Sequence, residues 1–487
     1  MNWIAIVECA DWVPEIEYSL RLLGSILGID FGVCSYADVV DKTQDDKQFW
    51  CSYGRHAPPG MKRGVHCFNS RFFRTNGKWS CAPSHVDAWF ESIPIPFVAG
   101  SSTEPLVRVV GDEDNCRRVE TNLDLVASTF FFSTLCEEAE TNRRDRFGRV
   151  PADACLAVRD GFIDRPIVHE YAEMLWNWIT LVMPEATRRE PWNGKGFAAC
   201  VTHDIDHLRK YKWSPPLRVS AKHLIRDHNP MRAIREYREY LACLLQRKRD
   251  PFDTFDILND LAAKRGFSST YFWMGGGRDR LDGSYSLEDP NAQRILRQIQ
   301  SRGHEIALHS SIQACADSAT LVSEKRELER ALGSAVSGVR QHFLMWDAKR
   351  SWDAREEAGF TYDASLGFPD VEGFRAGLCI PFHPFDTLAR KELDLWEVPL
   401  TLMDGALRDY RQLSPERAIE RIKILVDAVR RHRGVFVLLW HNSALDPLAW
   451  TGWAWVYEQA LDHLVSLGAN IDTIAGVLRD WVEFEAA

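Results

Sequence analysis

From Phe197 to the C-terminus the chain repeats one pattern, a short apolar run followed by a helical stretch, and this alternation restricts the fold more than any other feature of the sequence. The runs are FAACVTHDID, GFSSTYFWMGGG, HEIALHSS, GVRQHFLMW, FTYDASLGF, LDLWEVPLT, GVFVLLWHNS and the short ANID. Helices are predicted between them over 292–301 and 323–332, over a segment with Ser414 as N-cap and Pro415 at its first position, and over 473–484. Alternation of this kind means parallel strands joined by helical crossovers. Seven or eight such units suit a (β/α) barrel, an α/β architecture that holds its chemistry at the C-terminal ends of the strands.

In several units the apolar run ends in an ionisable residue. Thr202-His203-Asp204-Ile205-Asp206-His207 closes the first run, and His309 closes HEIALH. Arg340 and His342 follow Gly338-Val339, Asp363 follows Thr361-Tyr362, and His441 closes VFVLLW. Parallel strands would bring all of these to one mouth. Singly, each has a plainer reading: Asp204 or Asp206 can cap the next helix, His304 or His309 can be a satisfied structural histidine, and Asp363 can be a cap or an arginine partner. Their recurrence at the same end of successive units favours a site. Two carboxylates one residue apart can divide labour, one binding a cation while the other takes a proton. Oxygen and imidazole donors suit Zn²⁺ with one position open for water, whose pKa such an ion lowers towards ~7. A separate imidazole, His441, can then protonate a leaving group.

At 487 residues the chain is long enough for about two to four domains. Hydrophobic residues at 45% and charged residues at 26% are those of an ordinary globular protein. The formal charge, 59 minus 69 or -10, argues against nucleic-acid binding over the whole surface. No run reaches the ~18 apolar residues of a membrane span. Glu8, Asp11, Glu15 and Glu17 stand where a signal peptide would be apolar. The 12 cysteines lie between Cys9 and Cys379 with no CxxC pair, which suits reduced thiols and a cytoplasmic setting. A seam is predicted at PEATRREPWNGKG, residues 184–196, following an amphipathic segment. It divides the chain into 1–190, a smaller mixed α/β domain with strand-like runs at 3–7 and 97–98 and a helix over LDLVASTFFFSTLCEEAE, and 191–487, the barrel.

These motifs resemble those of the polysaccharide deacetylases of carbohydrate esterase family 4, whose fold is a distorted (β/α) barrel and whose activity is metal-dependent removal of acetyl groups from sugars. Thr202-His203-Asp204-Ile205-Asp206 is similar to the family's first motif, which implies Asp204 as general base and Asp206 as metal ligand. Gly303-His304-Glu305-Ile306-Ala307-Leu308-His309-Ser310 is similar to the second, with His309 on the metal. Val339-Arg340-Gln341-His342-Phe343 stands where the family supplies an active-site arginine. Tyr362-Asp363-Ala364-Ser365 and Trp396-Glu397-Val398-Pro399 resemble later landmarks, and Leu439-Trp440-His441 the last, whose histidine is the general acid. One position departs. Where the family has a second ligand histidine four residues after the first, on the same helix face, this chain has Gln313, a poor zinc ligand. His342 is the favoured replacement, ahead of His203 and His207.

The region before the seam resembles the N-terminal half of a subfamily found among bacterial exopolysaccharide genes, through Phe131, Glu137-Glu138, Asp145-Arg146-Phe147-Gly148-Arg149 and Arg165-Pro166-Ile167-Val168. RQHF, Gly373-Phe374-Arg375-Ala376-Gly377 and PLTLMDG continue that likeness downstream. The resemblance implies a hydrolase acting on N-acetylated saccharides. The rival from another class is a silent carbohydrate-binding or assembly protein on the same scaffold, with Gln313 as its support. An esterase or glycosidase of related barrel type is a third reading.

Between the first two barrel strands, Arg209 to Arg249 holds 12 Lys/Arg against Asp227, Glu236 and Glu239, a net +9. Met231, Ile234, Tyr237, Leu241, Leu244 and Leu245 give it a helical apolar stripe. The stripe either packs on the barrel or meets anionic membrane lipid or a phosphate-linked saccharide carrier. Among 18 tryptophans, Trp273, Trp346 and Trp440 lie near the motifs and either fill the core or stack on sugar.

Overall fold

The computed structural model describes the chain except residues 1–2, 9, 36–48, 59–60, 62, 74–78, 80–82, 101–103, 112–116, 212–229, 278, 280 and 284. In the C-terminal stretch eight segments pair side by side, all parallel. Their order is Trp396–Glu397, Tyr362–Asp363, Gly338–Gln341, Glu305–Ser310, Thr270–Met274, Ala198–Ile205, Val435–Leu439 and Leu402–Met403. Asn470–Ile471 pairs with the start of Ala198–Ile205, below the point where Thr270–Met274 joins it. Every residue of Ala198–Ile205 is buried, which is why its first four residues, Ala198 to Val201, run apolar instead of alternating.

The sheet curls into a half-barrel of parallel strands. Among the described residues no ladder joins its two outer strands, so the expected barrel is not closed by strand pairing. Residues 398–401 carry the chain directly from one edge to the other, and Pro399 among them has no N–H to donate to a ladder. The flanking amides spread across the gap instead: Val398 N donates to Asp363 O, Leu400 N to Leu366 O and Thr401 N to Val437 O.

The crossover helices begin at side-chain caps. Asp289 accepts from Asn291 N ahead of Pro290–Ser301, Asp317 from Ala319 N ahead of Ser318–Leu332, and Ser414 from Arg417 N ahead of Pro415–Arg431. The first two helices therefore start two and five residues before the predicted positions. Thr473 caps Ile474–Ala486, so that helix starts one residue after the predicted position.

The N-terminal stretch holds a six-stranded mixed sheet in the order Phe31–Ser35, Trp3–Val7, Phe49–Gly54, Gly64–Phe68, Arg118–Thr121, Val107–Val110, with only the last pair antiparallel. The predicted helix over 123–140 is two helices, Leu125–Ser133 and Cys136–Glu140, because Leu135 takes a left-handed conformation with φ 55°. Residues 97–98 form no strand; Val98 makes a single bridge to Leu123. Two of the charges singled out in this stretch, Glu138 and Arg149, reach the C-terminal stretch. Arg375 donates to both carboxylate oxygens of Glu138 at 2.7 and 2.5 Å. Arg149, paired with Asp145, donates to Phe343 O at 2.9 Å.

Candidate metal centre

Strand geometry brings the site together. Asp204 and Asp206 are two apart near the end of Ala198–Ile205 and so share a face. His309 ends a strand in register with Arg340 on the next, and its Nδ1 lies 3.0 Å from Arg340 O. That contact makes Nδ1 the donor and turns the Nε2 lone pair into the cleft. His342 follows Arg340 by one pleat, at the head of a 3-10 turn in which Phe343 and Leu344 take φ 58° and 50°. The turn sets its ring beside that of His309, with centroids 5.0 Å apart.

One ligand atom each from Asp206, His309 and His342 can be chosen within 4.8 Å of one another. Asp206 Oδ1 lies 3.2 Å from His309 Nε2 and 3.8 Å from His342 Nε2, yet it is buried without a hydrogen bond. A buried carboxylate oxygen facing two imidazole nitrogens and bonded to neither is the donor set a divalent cation would complete. Behind His342, Asp282 Oδ1 stands 3.6 Å from Nδ1 and accepts from Ile312 N. Burial alone would raise the Asp206 carboxyl, but His342, His309 and His441 hold it well below the usual range. Burial works to lower His309, and Asp204 and Asp206 outweigh it, so the imidazole is raised.

Asp204 is held from the other side. Arg340, fully buried, places Nη1 3.0 Å from Asp204 Oδ1 and 2.6 Å from Thr202 Oγ1, and its Nε donates to Ala364 O. The second carboxylate oxygen, Oδ2, lies 3.7 Å from His309 Nε2. Across the cleft, His441 Nδ1 meets Asp404 Oδ1 at 2.7 Å, and His441 N donates to Asp404 Oδ2 at 2.8 Å. Its Nε2 therefore faces inward, 3.7 Å from Asp206 Oδ2. Burial would lower His441, yet Asp404 and the two site carboxylates raise it to about 10.

All six residues singled out by their motifs, Asp204, Asp206, His309, Arg340, His342 and His441, thus meet at one end of the parallel sheet. All but Arg340 line a cleft of about 310 Å³. Gln313 takes no part: it is exposed on the 3-10 turn Ile312–Ala316, whereas His309 is on a strand, so the two do not share a helix face. His342 stands beside His309 instead. His203 is buried, with Nδ1 2.8 Å from Trp440 O, and burial brings it down to about 3. His304 accepts from Ser269 N, and Asp363 pairs with Arg355 at 2.6 Å, so both are structural.

Trp273, Trp346 and Trp440 are core residues with at most 5% exposure and cannot stack on a ligand. The indole at the cleft is Trp450, with the Arg408 guanidinium 4.0 Å from its ring centre. Asp404, Asp282 and the rim pair Arg149 and Tyr410 received no role from the sequence. Arg149 Nη2 donates to Tyr410 Oη at 3.1 Å, so the N-terminal stretch supplies part of the wall.

Residues 5–184 match the profile of a family of unknown function, DUF7033, which assigns that stretch no role. No curated protein matches the chain. Among solved structures, a Mycobacterium smegmatis protein provisionally assigned to the polysaccharide deacetylases is 20% identical, with 62% of this chain and 96% of that one covered and a TM-score of 0.39. Puue allantoinase is 14% identical over 62% and 96%, with a TM-score of 0.40. The peptidoglycan deacetylase PdaC of Bacillus subtilis, in a mutant form, is 12% identical over 60% and 94%, with a TM-score of 0.28.

Proposed function

We propose that the protein is a metal-dependent hydrolase that removes acetyl groups from N-acetylated sugars of a poly- or oligosaccharide or its precursor. The observation that supports this most is the unbonded, buried Asp206 Oδ1 between His309 and His342, flanked by an arginine-held carboxylate on one side and a carboxylate-backed imidazole on the other. Asp206, His309 and His342 would hold the ion, and their mixed oxygen and nitrogen donors favour zinc. When bound, it would polarise the acetyl carbonyl and stabilise negative charge on its oxygen.

Asp204, fixed by Arg340, takes the proton of the attacking water. His441, kept protonated and oriented by Asp404, gives a proton to the amine nitrogen as the C–N bond breaks, so that acetate and a free amino sugar leave. We take residues 1–190 and 191–487 as the two domains. The setting we assign is cytoplasmic, from the cysteine usage, which points to an intracellular saccharide precursor as substrate.

The test combines metal content of the purified protein with acetate release from a panel of N-acetylated saccharides. About one zinc per chain and chelator-sensitive release are expected. A chain that binds no metal and releases no acetate from any member is the silent carbohydrate-binding protein instead.

A further inference from the structure

The helix Pro230–Leu244 sits on the barrel with its faces inverted. Its inner side holds Glu236 at 2% exposure, with Ala233, Glu239 and Tyr240 also buried. The apolar stripe faces out, with Met231 60% and Leu244 47% exposed and Ile234, Tyr237, Leu241 and Leu245 exposed between and beyond them. The inversion has a local cause. Lys210 Nζ lies 3.0 Å from Glu236, 3.3 Å from Glu239 and 2.7 Å from Asp446, and Tyr211 Oη donates to Glu236 at 2.7 Å. This buried ionic cluster fixes the polar face against the barrel, because removing either carboxylate from its cation would leave a buried charge unpaired.

What remains outside is an apolar strip about 20 Å long at 1.5 Å per residue, of the kind that marks an interaction surface. Arg235 and Arg238 stand exposed beside it, and among the described residues neither has an ionic or hydrogen-bond partner. Residues 212–229 of the basic segment lie outside the described residues.

We infer that this helix docks on an anionic lipid bilayer, its apolar stripe in the headgroup boundary and Arg235 and Arg238 against lipid phosphates. Charge selects this occupant. The exposed charged side chains of Pro230–Leu244 are Arg235 and Arg238, its two glutamates being buried, so a second copy would set one basic strip against another, whereas an anionic membrane attracts this face and repels the remainder of a chain of net charge -10. The inference does not depend on acetyl hydrolysis.

Co-sedimentation of the full chain tests it, with vesicles of phosphatidylcholine alone and of equal parts phosphatidylcholine and phosphatidylglycerol. Binding to the anionic vesicles is expected at low salt and its loss at high salt, with little on the neutral ones. R235E/R238E and I234Q/L241Q should each weaken partitioning roughly ten-fold or more while leaving the unfolding midpoint unchanged. No binding to anionic vesicles, or variants that bind like the parent, overturns the inference. Concentration-dependent dimerisation that I234Q/L241Q abolishes also overturns it, by giving the stripe to a second copy.

Discussion

Two clusters of buried charge lie at the ends of neighbouring strands in the same sheet, and they are built differently. In one, Asp363 and Glu397 are paired in register and share Arg355, whose Nε is 2.6 Å from Asp363. Glu397 also accepts from Trp352 Nε1 and Leu366 N. Two acids face one permanent cation there; burial above all, then the Asp363 charge, drives Glu397 far up. In the other, Asp204 has its arginine, but Asp206 faces only imidazoles, with one oxygen unbonded and a cleft above it. Each cluster leaves a carboxylate oxygen without a hydrogen bond, but Asp363 Oδ2 has a guanidinium 2.6 Å away, whereas Asp206 Oδ1 has only imidazoles and a cleft with room for a ligand.

The contrast can be broken experimentally. Asp206→Asn should abolish metal retention, taking the purified protein from about one ion per chain to none while leaving chemical denaturation near the parent curve. Unchanged metal content would remove Asp206 from the ligand set. Asp204→Asn and His441→Ala, which keep the trio, should lower acetate release by roughly 10²–10⁴-fold with metal retained, as expected for loss of a general base or acid. Normal turnover in either sinks the role given to it.

Arg355→Met addresses the arginine-paired cluster. It strands Asp363 beside Glu397 and should cost about 3–5 kcal/mol in denaturant unfolding, the range for a buried pair that loses one partner. A loss confined to activity would mean that cluster belongs to the site.

The fourth experiment follows protons. Because the folded value of His441 is raised to about 10 from an ordinary ~6.5, its charged form favours the folded state. That contribution is complete below the ordinary value and disappears as pH rises through about 10. NMR titration of chelator-treated protein should show the high value, and Asp404→Asn should move it down towards the ordinary range. An unmoved titration would mean Asp404 does not hold the imidazole. The smallest effect is expected for Gln313→His, which should leave metal affinity unchanged because residue 313 is exposed on a turn; a gain in affinity would put the missing family ligand back in the site.

The parallel sheet was legible because buried strands read as unbroken apolar runs, and the polar residue ending each run marks one rim. His342 was singled out because it lies beside Arg340 in the adjacent motif, and the structure sets its ring next to that of His309. Asp404 was harder, since Leu402–Met403 is too short to show a period and its partner His441 is 37 positions away. Asp282 lies outside the strands and helices and met the same obstacle. For Pro230–Leu244 the stripe was visible, but its direction was not: that depends on Lys210 and Asp446, which no periodicity links to the helix. The open seam of the sheet turned on Pro399 and on outer strands of two residues.

One consequence of the sheet order concerns synthesis. Ala198–Ile205 is an interior strand, yet its partner Val435–Leu439 leaves the ribosome far later, with Thr202 and Leu438 236 positions apart. At translation rates of about 5–20 residues per second, this fully buried strand waits roughly 12–50 s for that neighbour. During that interval its edge is a template for any other strand, so yield in a heterologous host should depend on chaperone supply before it depends on the stability of the finished fold.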